Sequence, residues 1–126
     1  MKNNMIYYDT HAHYGFSYRK TSFYENRHEI LKLAYENGIQ KVVNVGIDMP
    51  SNYAMLKDFT KEPWVRIAIG EHPNCVGTEE DPGFRDHEKD EQIRTLCNNP
   101  QVCAIKTGLD YSKGKENRIR QKKRFR

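Results

Sequence analysis

The sequence predicts an α/β fold in which strands and helices alternate and the strands form a parallel sheet. Three observations carry this prediction. Four short apolar segments, most of them rich in valine and isoleucine, have the pattern of buried strands. A longer amphipathic segment follows each of them, and glycines, prolines and asparagines mark the turns between them. Because strands that alternate with helices are joined by right-handed crossovers, this order predicts parallel strands.

The first half of the chain begins with a strand, a helix and a second strand. Ile6–Thr10 is a short apolar run and predicts the first strand. From about Phe23 to Asn37 the apolar residues fall on one side of a helix, and Asn37 is followed by a glycine, which is a typical stop signal. Lys41–Ile47, with the sequence KVVNVGI, is rich in β-branched residues and predicts the second strand.

The remaining elements continue the alternation. A helix is predicted to begin near Asp48, with Asp48 or Ser51 as its cap. The segment Trp64–Ile69 predicts the third strand, and after a loop the segment Phe84–Asn98 predicts another helix. Val102–Ile105 then predicts the fourth strand, so the order is βαβαβαβ with a last helix beginning after it.

The composition excludes several classes of protein. The chain has 126 residues, of which 37% are hydrophobic and 30% charged, enough for one modest core. No apolar run approaches the roughly 18 residues of a membrane span, and the N-terminus lacks the apolar region of a signal peptide. Cys75, Cys97 and Cys103 are an odd number without a CxxC spacing, so we expect reduced, mostly packed thiols in a cytoplasmic protein.

The basic character of the chain is confined to its last residues. Residues 113–126 hold eight Lys/Arg and one Glu, a net charge of +7, whereas the whole chain carries +4, so residues 1–112 carry −3. The segment RIRQKKRFR, residues 118–126, is interpreted as an amphipathic helix that begins near Glu116, buries Ile119 and Phe125 and shows its charged face to solvent. The alternative is a run that binds nucleic-acid phosphates.

The stretch DTHAHY, residues 9–14, places two histidines two positions apart at the end of the first predicted strand. Because successive strand residues point to opposite faces, we expect Asp9, His11 and His13 to share one face. Two imidazoles so arranged can converge on one zinc or other transition-metal ion. The carboxyl ends of parallel strands are also where α/β folds place their sites. The alternative is a pair of exposed histidines without a ligand.

Three further segments carry patterns that accompany the histidine pair. VVNVGID at 42–48 has the pattern V-x-x-G, and AIGEHPN at 68–74 has G-x-H-P. VCAIKTGLDY, from residue 102, is close to A-I-G-E-x-G-L-D-Y, and Gln121 and Phe125 nearly keep a following Q-x-x-F. With D-[TS]-H-x-H at the start, these patterns resemble the TatD family of metal-dependent hydrolases, a branch of the amidohydrolase-like barrels. The resemblance spans the whole chain but only about the first half of the family's length.

This resemblance implies a fold, a chemistry and partners. Family members are TIM barrels with one or two metal ions, so we expect the N-terminal half of a TIM (β/α)8 barrel. Residues 1–126 are expected to form one partial domain, cut after the fourth strand and the start of the fourth helix. The family hydrolyses phosphodiester bonds, notably in DNA, and some members remove D-aminoacyl groups from tRNA. Zinc, manganese or magnesium and a nucleic-acid or other phosphodiester substrate are therefore expected, and a membrane is not.

The resemblance also implies roles for single residues. His11 and His13 correspond to the metal ligands of the first strand. His72 corresponds to the histidine of the HP motif, near the substrate, and is the candidate catalytic residue. Asp9 and Asp110 are expected to support this site, Asp9 beside the metal ligands and Asp110 by orienting neighbouring loops.

Lys106 falls where the family has its metal-bridging glutamate, and this is the principal departure from the pattern. An ammonium group has no lone pair and repels cations, so the lysine weakens or removes one metal site if it stays unmodified. Lys106 can be a metal ligand only if CO2 carboxylates it, since a carbamate offers two oxygens as glutamate does. The remaining interpretations are a residue that binds a substrate phosphate and a structural residue.

Because an eight-stranded barrel needs about 250 residues, the further metal ligands and the general base are expected beyond Arg126. We therefore expect a fragment that is inactive by itself, and a half-barrel that dimerises is the alternative. Two other functions stay open: a PHP-type metal-dependent phosphoesterase, and a non-catalytic remnant whose basic tail binds nucleic acid. The oligomeric state is not predicted.

Overall fold

A computed structural model describes residues 5–14, 22–76, 86–112 and 115–126. Strands and helices alternate in the predicted order, and the first predicted helix is divided in two at Asn26. The predicted helix start at Phe84 lies outside the described residues. The elements are β1 (Tyr7–Ala12), α1 (Ser22–Glu25), α2 (Arg27–Glu36), β2 (Ile39–Val45), α3 (Met49–Asp58), β3 (Val65–Gly70), a 3-10 turn (Pro73–Cys75), α4 (Asp86–Cys97), β4 (Val102–Lys106) and α5 (Lys115–Arg124).

The four strands form one sheet in which every neighbouring pair is parallel. Their order in the sheet is β1-β2-β3-β4, the same as their order in the chain. The predicted α/β fold is therefore confirmed, and it is consistent with half of a TIM-barrel-like fold. Val45 pairs with Ala68 and Gly70 pairs with Lys106, so the strands end at a common edge. His13 follows β1 directly at this carboxyl edge.

The core lies between the sheet and the helices. Its largest members, Phe59, Leu31 and Met55, are fully buried. The outer strands are more open, since Tyr8 in β1 is 64% exposed and Ile105 in β4 is 54% exposed. The two central strands therefore hold the core, and the outer strands carry exposed apolar side chains. The buried core cluster consists of Leu31, Val42, Met55, Leu56, Phe59, Val65, Ile67, Ile69 and Leu96.

The helix boundaries have the chemistry that the sequence predicts. α2 ends at Glu36, and Gly38 takes φ +102°, a left-handed conformation that favours glycine. α3 begins after Asp48, whose carboxylate accepts a hydrogen bond from the Ser51 backbone N–H at 2.8 Å. The Ser51 hydroxyl accepts in return from the Asp48 backbone N–H at 3.1 Å. Both predicted caps thus take part in one capping box.

α5 packs the opposite way from the prediction. Ile119 and Phe125, expected to be buried, are 62% and 36% exposed, whereas Arg120 is 6% exposed and Gln121 is fully buried. Arg120 donates to the carboxylate of Asp86, and the Gln121 amide bonds a loop backbone. Since the inner face of α5 meets charged and polar groups instead of apolar ones, Ile119 faces outward; Phe125 lies one residue past the end of the helix.

A network of ion pairs, buried around Glu71 and more open at Asp86 and Asp90, connects α5 to α4 and to the residue after β3. Glu71, which follows β3 and is 9% exposed, accepts from Lys89 Nζ at 2.7 Å and from Arg124 Nε at 2.9 Å. Arg124 also donates to Asp90 at 2.7 Å. Together with Arg120, Arg124 is therefore held inside the protein by carboxylates, although it belongs to the basic segment RIRQKKRFR.

The pairing of Arg120 with Asp86 predicts a pH-dependent stability. Hydrogen bonds from the guanidinium hold the pKa of the Asp86 carboxyl below its usual value. Such a group stabilises the fold above its unfolded pKa of about 3.9, and this stabilisation is lost as pH falls through the folded pKa. We expect Arg120→Met to lower the free energy of unfolding near neutral pH, and the difference from the unchanged chain to shrink below about pH 4. Urea unfolding at several pH values measures this; a difference that does not vary with pH contradicts it.

Cys75, Cys97 and Cys103 form no disulfide bond in the structure. Cys97 and Cys103 are exposed and Cys75 is partly buried, so the expectation of mostly packed cysteines is wrong for two of them. Within the described ranges, no helix is long and apolar enough to cross a membrane.

Candidate metal centre

The rings of His11 and His13 converge at the carboxyl end of β1. Their Nε2 atoms are 3.3 Å apart, their ring centroids are 5.0 Å apart and the ring planes are inclined by 78°. Both residues are exposed, so a cation can reach them from solvent. A tetrahedral zinc ion with Zn–N bonds of about 2.0–2.1 Å sets two ligand nitrogens about 3.3–3.4 Å apart. The separation of the two Nε2 atoms therefore suits a shared ion.

The neighbouring strand orients His13. Its Nδ1 lies 2.9 Å from the backbone oxygen of Val45, the last residue of β2. Because a carbonyl oxygen only accepts, Nδ1 carries the proton and the lone pair of the neutral ring lies on Nε2. Histidines that ligate metals have this arrangement, with the other ring nitrogen donating to a carbonyl or carboxylate.

Asp9 lies beside the pair and bonds its backbone. The Asp9 Oδ1 accepts a hydrogen bond from the His11 backbone N–H at 3.1 Å. The register of β1 against β2 shifts between Asp9 and Ala12, so a strict alternation of faces does not run from Asp9 to His13. The carboxylate thus fixes the backbone that carries the first histidine.

His11 and His13 offer only part of the ligand set that a metal ion needs. Two neutral imidazole nitrogens suit zinc and other transition metals. Among the described residues, no group of three or more His, Cys, Asp or Glu side chains could hold a metal ion. A catalytic zinc site has three protein ligands and an open position. The histidine pair offers two nitrogen donors, one fewer than such a site requires.

A buried amide holds the loop after β3 to the end of β2. Asn52 in α3 is fully buried; its Nδ2 donates to the Gly70 oxygen and its Oδ1 accepts from the Gly70 N–H, both at 2.9 Å. The backbone N–H of His72 donates to the Ile47 oxygen at 2.7 Å. These bonds fix the backbone that carries His72 against the segment that follows β2.

His72 is half-buried and has a defined protonation state. Its Nδ1 accepts a hydrogen bond from the Asn74 backbone N–H at 3.1 Å, so the neutral ring carries its proton on Nε2. Burial lowers the pKa of His72, the charge of Lys106 lowers it further, and Asp110 acts in the opposite direction. His72 is therefore neutral at pH 7 and offers an N–H donor.

Lys106 ends β4 at the same edge of the sheet. Its backbone oxygen accepts from the Glu71 N–H at 3.1 Å, and the residue is half-buried. The positive charge of Lys106 lowers the pKa of the His72 imidazole. An ammonium group offers three donors to an anion and no lone pair to a cation.

Substitution of Lys106 is expected to raise the pKa of His72. Lys106→Gln removes the positive charge that disfavours the imidazolium, so the His72 pKa should move up toward its ordinary value of 6.5. An NMR titration of the histidine ring protons measures the change. Lys41→Gln, at an exposed position near the start of β2, is the matched control and should leave the His72 pKa unchanged. Equal His72 titrations in the two variants contradict the expectation.

Asp110 connects α5 to the loop of His72. Its backbone N–H donates to Gln121 Oε1 at 2.8 Å, and its backbone oxygen accepts from Gln121 Nε2 at 2.7 Å. Hydrogen bonds from Ser112 and from the Asn74 side chain lower the pKa of Asp110, and the charge of His72 adds to this. The structure thus places the Asp110 carboxylate near His72 and within bonding reach of Asn74.

Three residues that shape this edge are not predicted from the sequence. Gln121 has a partial signal, since Gln121 and Phe125 nearly keep the Q-x-x-F pattern. Asn52 and Glu71 have none, because their partners lie 18 and 53 positions away in the chain. Only the folded chain brings these groups together.

A parallel α/β sheet with paired imidazoles at its carboxyl edge is an arrangement that TIM-barrel-like metal-dependent enzymes have. The family model described as TatD related DNase matches residues 8–126 of this chain. The chain belongs to this family of metal-dependent nucleases, which confirms the resemblance of its four motifs. A search of curated proteins finds no match.

Proposed function

We propose that this chain carries the first part of the active site of a metal-dependent phosphodiesterase that acts on DNA. The observation that supports this most is the 3.3 Å approach of the His11 and His13 Nε2 atoms, in a chain of a DNase family. The hydrogen bond between His13 Nδ1 and Val45 adds support, because it sets the tautomer in which Nε2 carries the lone pair, as in histidines that ligate metals.

Each polar residue of the edge has a part in this proposal. His11 and His13 donate lone pairs to a divalent ion, and imidazole favours zinc over magnesium or manganese. Such an ion, when bound, lowers the pKa of water and polarises a phosphoryl oxygen. The neutral His72 donates its Nε2–H to an oxygen of the phosphodiester. Asp9 fixes the backbone of His11, and Asp110 bonds the loop of His72.

Lys106 joins the metal ligands only as a carbamate. The neutral amine attacks CO2, its nitrogen forms the new N–C bond, and one proton leaves to solvent. The product carries a negative charge, so the two forms have opposite effects on His72. As an ammonium group, Lys106 lowers the pKa of His72 and binds a substrate phosphate; as a carbamate, it raises that pKa and binds the ion.

Carbon-13 bicarbonate distinguishes the two forms of Lys106. A carbamate gives a new carbonyl signal in the ¹³C spectrum that Lys106→Ala abolishes, and Lys106→Glu retains the affinity for metal. If no such signal forms, and Lys106→Glu binds metal no better than Lys106→Ala, the bridging role is refuted.

The remaining metal donors are proposed to come from outside the described residues. The described part of the chain supplies His11 and His13 and no cluster of three donors. We propose that catalysis requires this further set of ligands, from a longer polypeptide or from a second copy of the chain. By itself, the described edge binds an ion without turning over substrate.

The compartment is proposed from the cysteines. All three are free thiols, and two of them are exposed. Exposed free thiols suit a reducing compartment, so we place the protein in the cytoplasm.

Binding of thymidine 5′-phosphate with Mn2+ tests the proposed function without requiring turnover. Free Mn2+ already broadens the nucleotide protons by binding the phosphate, so the measured quantity is the extra broadening that the chain causes at equal Mn2+. We expect this extra broadening from the unchanged chain. His11→Ala/His13→Ala should abolish it, and His87→Ala, at an exposed position in α4, should not. Extra broadening that survives the double substitution, or that never occurs, overturns the proposal; the second result is the one a non-catalytic remnant would give.

A further inference from the structure

An aromatic side chain and two cations form a cluster on α5 and the loop before it. The Arg118 guanidinium carbon lies 5.3 Å from the centroid of the Tyr111 ring, and the Lys122 Nζ lies 5.8 Å from it. Arg118 also donates to the Tyr111 backbone oxygen at 3.2 Å. All three residues are exposed, and the two cations are four positions apart on one helix face. We call these residues the Tyr111 cluster.

The charges of α5 are divided between its two sides. Arg120 and Arg124 turn inward, where carboxylates of α4 and the residue after β3 neutralise them. Within the described part of the chain, no carboxylate pairs with Arg118 or Lys122. The outward side therefore keeps a net positive charge beside an exposed ring.

The Tyr111 cluster adjoins the candidate metal centre. Tyr111 follows Asp110. The side-chain amide of Gln121 in α5 hydrogen-bonds both the backbone N–H and the backbone oxygen of Asp110. The Asp110 carboxylate in turn interacts with the Asn74 side chain and acts on the titration of His72. Tyr111 therefore directly follows a residue whose carboxylate acts on His72.

We propose that the Tyr111 cluster is a binding site for single-stranded nucleic acid. Tyr111 stacks on an unpaired base, and Arg118 and Lys122 bind the phosphates on either side. A duplex offers its phosphates to the cations but no free base to the ring, so the ring selects single strands. This inference rests on the proposed function for its substrate class. It adds a preference for single strands over duplexes, and it names the residues that would cause this preference.

Fluorescence anisotropy of a labelled thymidine oligonucleotide of about ten residues tests the site. The titration is run in EDTA, without metal. We expect Tyr111→Leu to weaken binding about tenfold and Tyr111→Trp to retain it, because stacking needs an aromatic face. Arg118→Gln/Lys122→Gln should reduce the slope of log affinity against log salt by about 1.4, corresponding to two lost phosphate contacts.

α3 offers a matched control, because Tyr53 and Lys57 are exposed and also four positions apart. Tyr53→Leu and Lys57→Gln should leave oligonucleotide binding unchanged. Equal losses from Tyr53→Leu and Tyr111→Leu would overturn the site. So would a duplex that binds as tightly as the single strand and loses affinity equally with Tyr111→Leu.

Metal-free binding separates this inference from the proposed function. His11→Ala/His13→Ala should retain full oligonucleotide affinity in EDTA, since neither histidine belongs to the Tyr111 cluster. Loss of metal binding with intact Tyr111-dependent binding would refute the proposed chemistry alone. Intact metal binding without any effect of Tyr111→Leu would refute the Tyr111 site alone.

Discussion

Gly70→Ala is expected to destabilise the chain by about 3 kcal/mol or more. A Cβ atom at this position would lie 1.5 Å from the backbone oxygen of Gly46 and 2.3 Å from its carbonyl carbon. Backbone atoms cannot rotate away as a side chain can, so β2 and β3 would have to separate where they end. The same movement would break the two hydrogen bonds between Asn52 and Gly70.

Urea unfolding of Gly70→Ala beside Gly108→Ala measures this effect. Gly108 is the matched control, because a Cβ built there has no heavy atom within 4 Å. We expect Gly108→Ala to change the free energy of unfolding by less than about 0.5 kcal/mol. Similar unfolding free energies for the two variants would show that the ends of β2 and β3 do not approach as closely as described.

Glu71→Ala is expected to cost about 3 kcal/mol. The carboxylate of Glu71 contacts Lys89 at 2.7 Å and Arg124 at 2.8 Å, and all three side chains are at most 15% exposed. Removing the acid breaks a buried ion pair with Lys89, while Arg124 keeps Asp90. Removal of one partner from a buried ion pair is strongly destabilising, unlike removal from an exposed pair.

Glu91→Ala is the matched control for this prediction. Glu91 lies in α4 and is 61% exposed, and its contact with Arg94 is long, at 3.9 Å. Such surface pairs contribute about 0–1 kcal/mol, so this variant should unfold close to the unchanged chain. If both variants unfold at the same urea concentration, the network around Glu71 does not hold α5 in place.

The alternation of elements could be predicted because its signals are local. The strands are short apolar runs, Asp48 and Ser51 are three positions apart, and Gly38 follows its helix directly. The convergence of the histidine rings also has a local cause, since His11 and His13 are neighbours on one strand end. Features that depend on neighbours in sequence are thus open to sequence reasoning.

The packing of α5 could not be predicted, because its cause is not local. Apolar spacing assigns Ile119 and Phe125 to the inside, and that rule fails when a helix packs against acids. Those acids lie 34 and 53 positions before their arginine partners. The orientation of the His13 ring could not be predicted for the same reason, because the Val45 oxygen that it bonds lies 32 positions away.

The most direct test of the account is metal binding by the His11–His13 pair. Isothermal titration with Zn2+ is run on the chain without any affinity tag, beside His11→Ala/His13→Ala and the control His87→Ala. We expect the unchanged chain and the control to bind one zinc ion each. The zinc affinity of the double variant should be more than about 100-fold lower. Zinc that binds the double variant as tightly as the unchanged chain would contradict the claim that these two imidazoles form a metal centre.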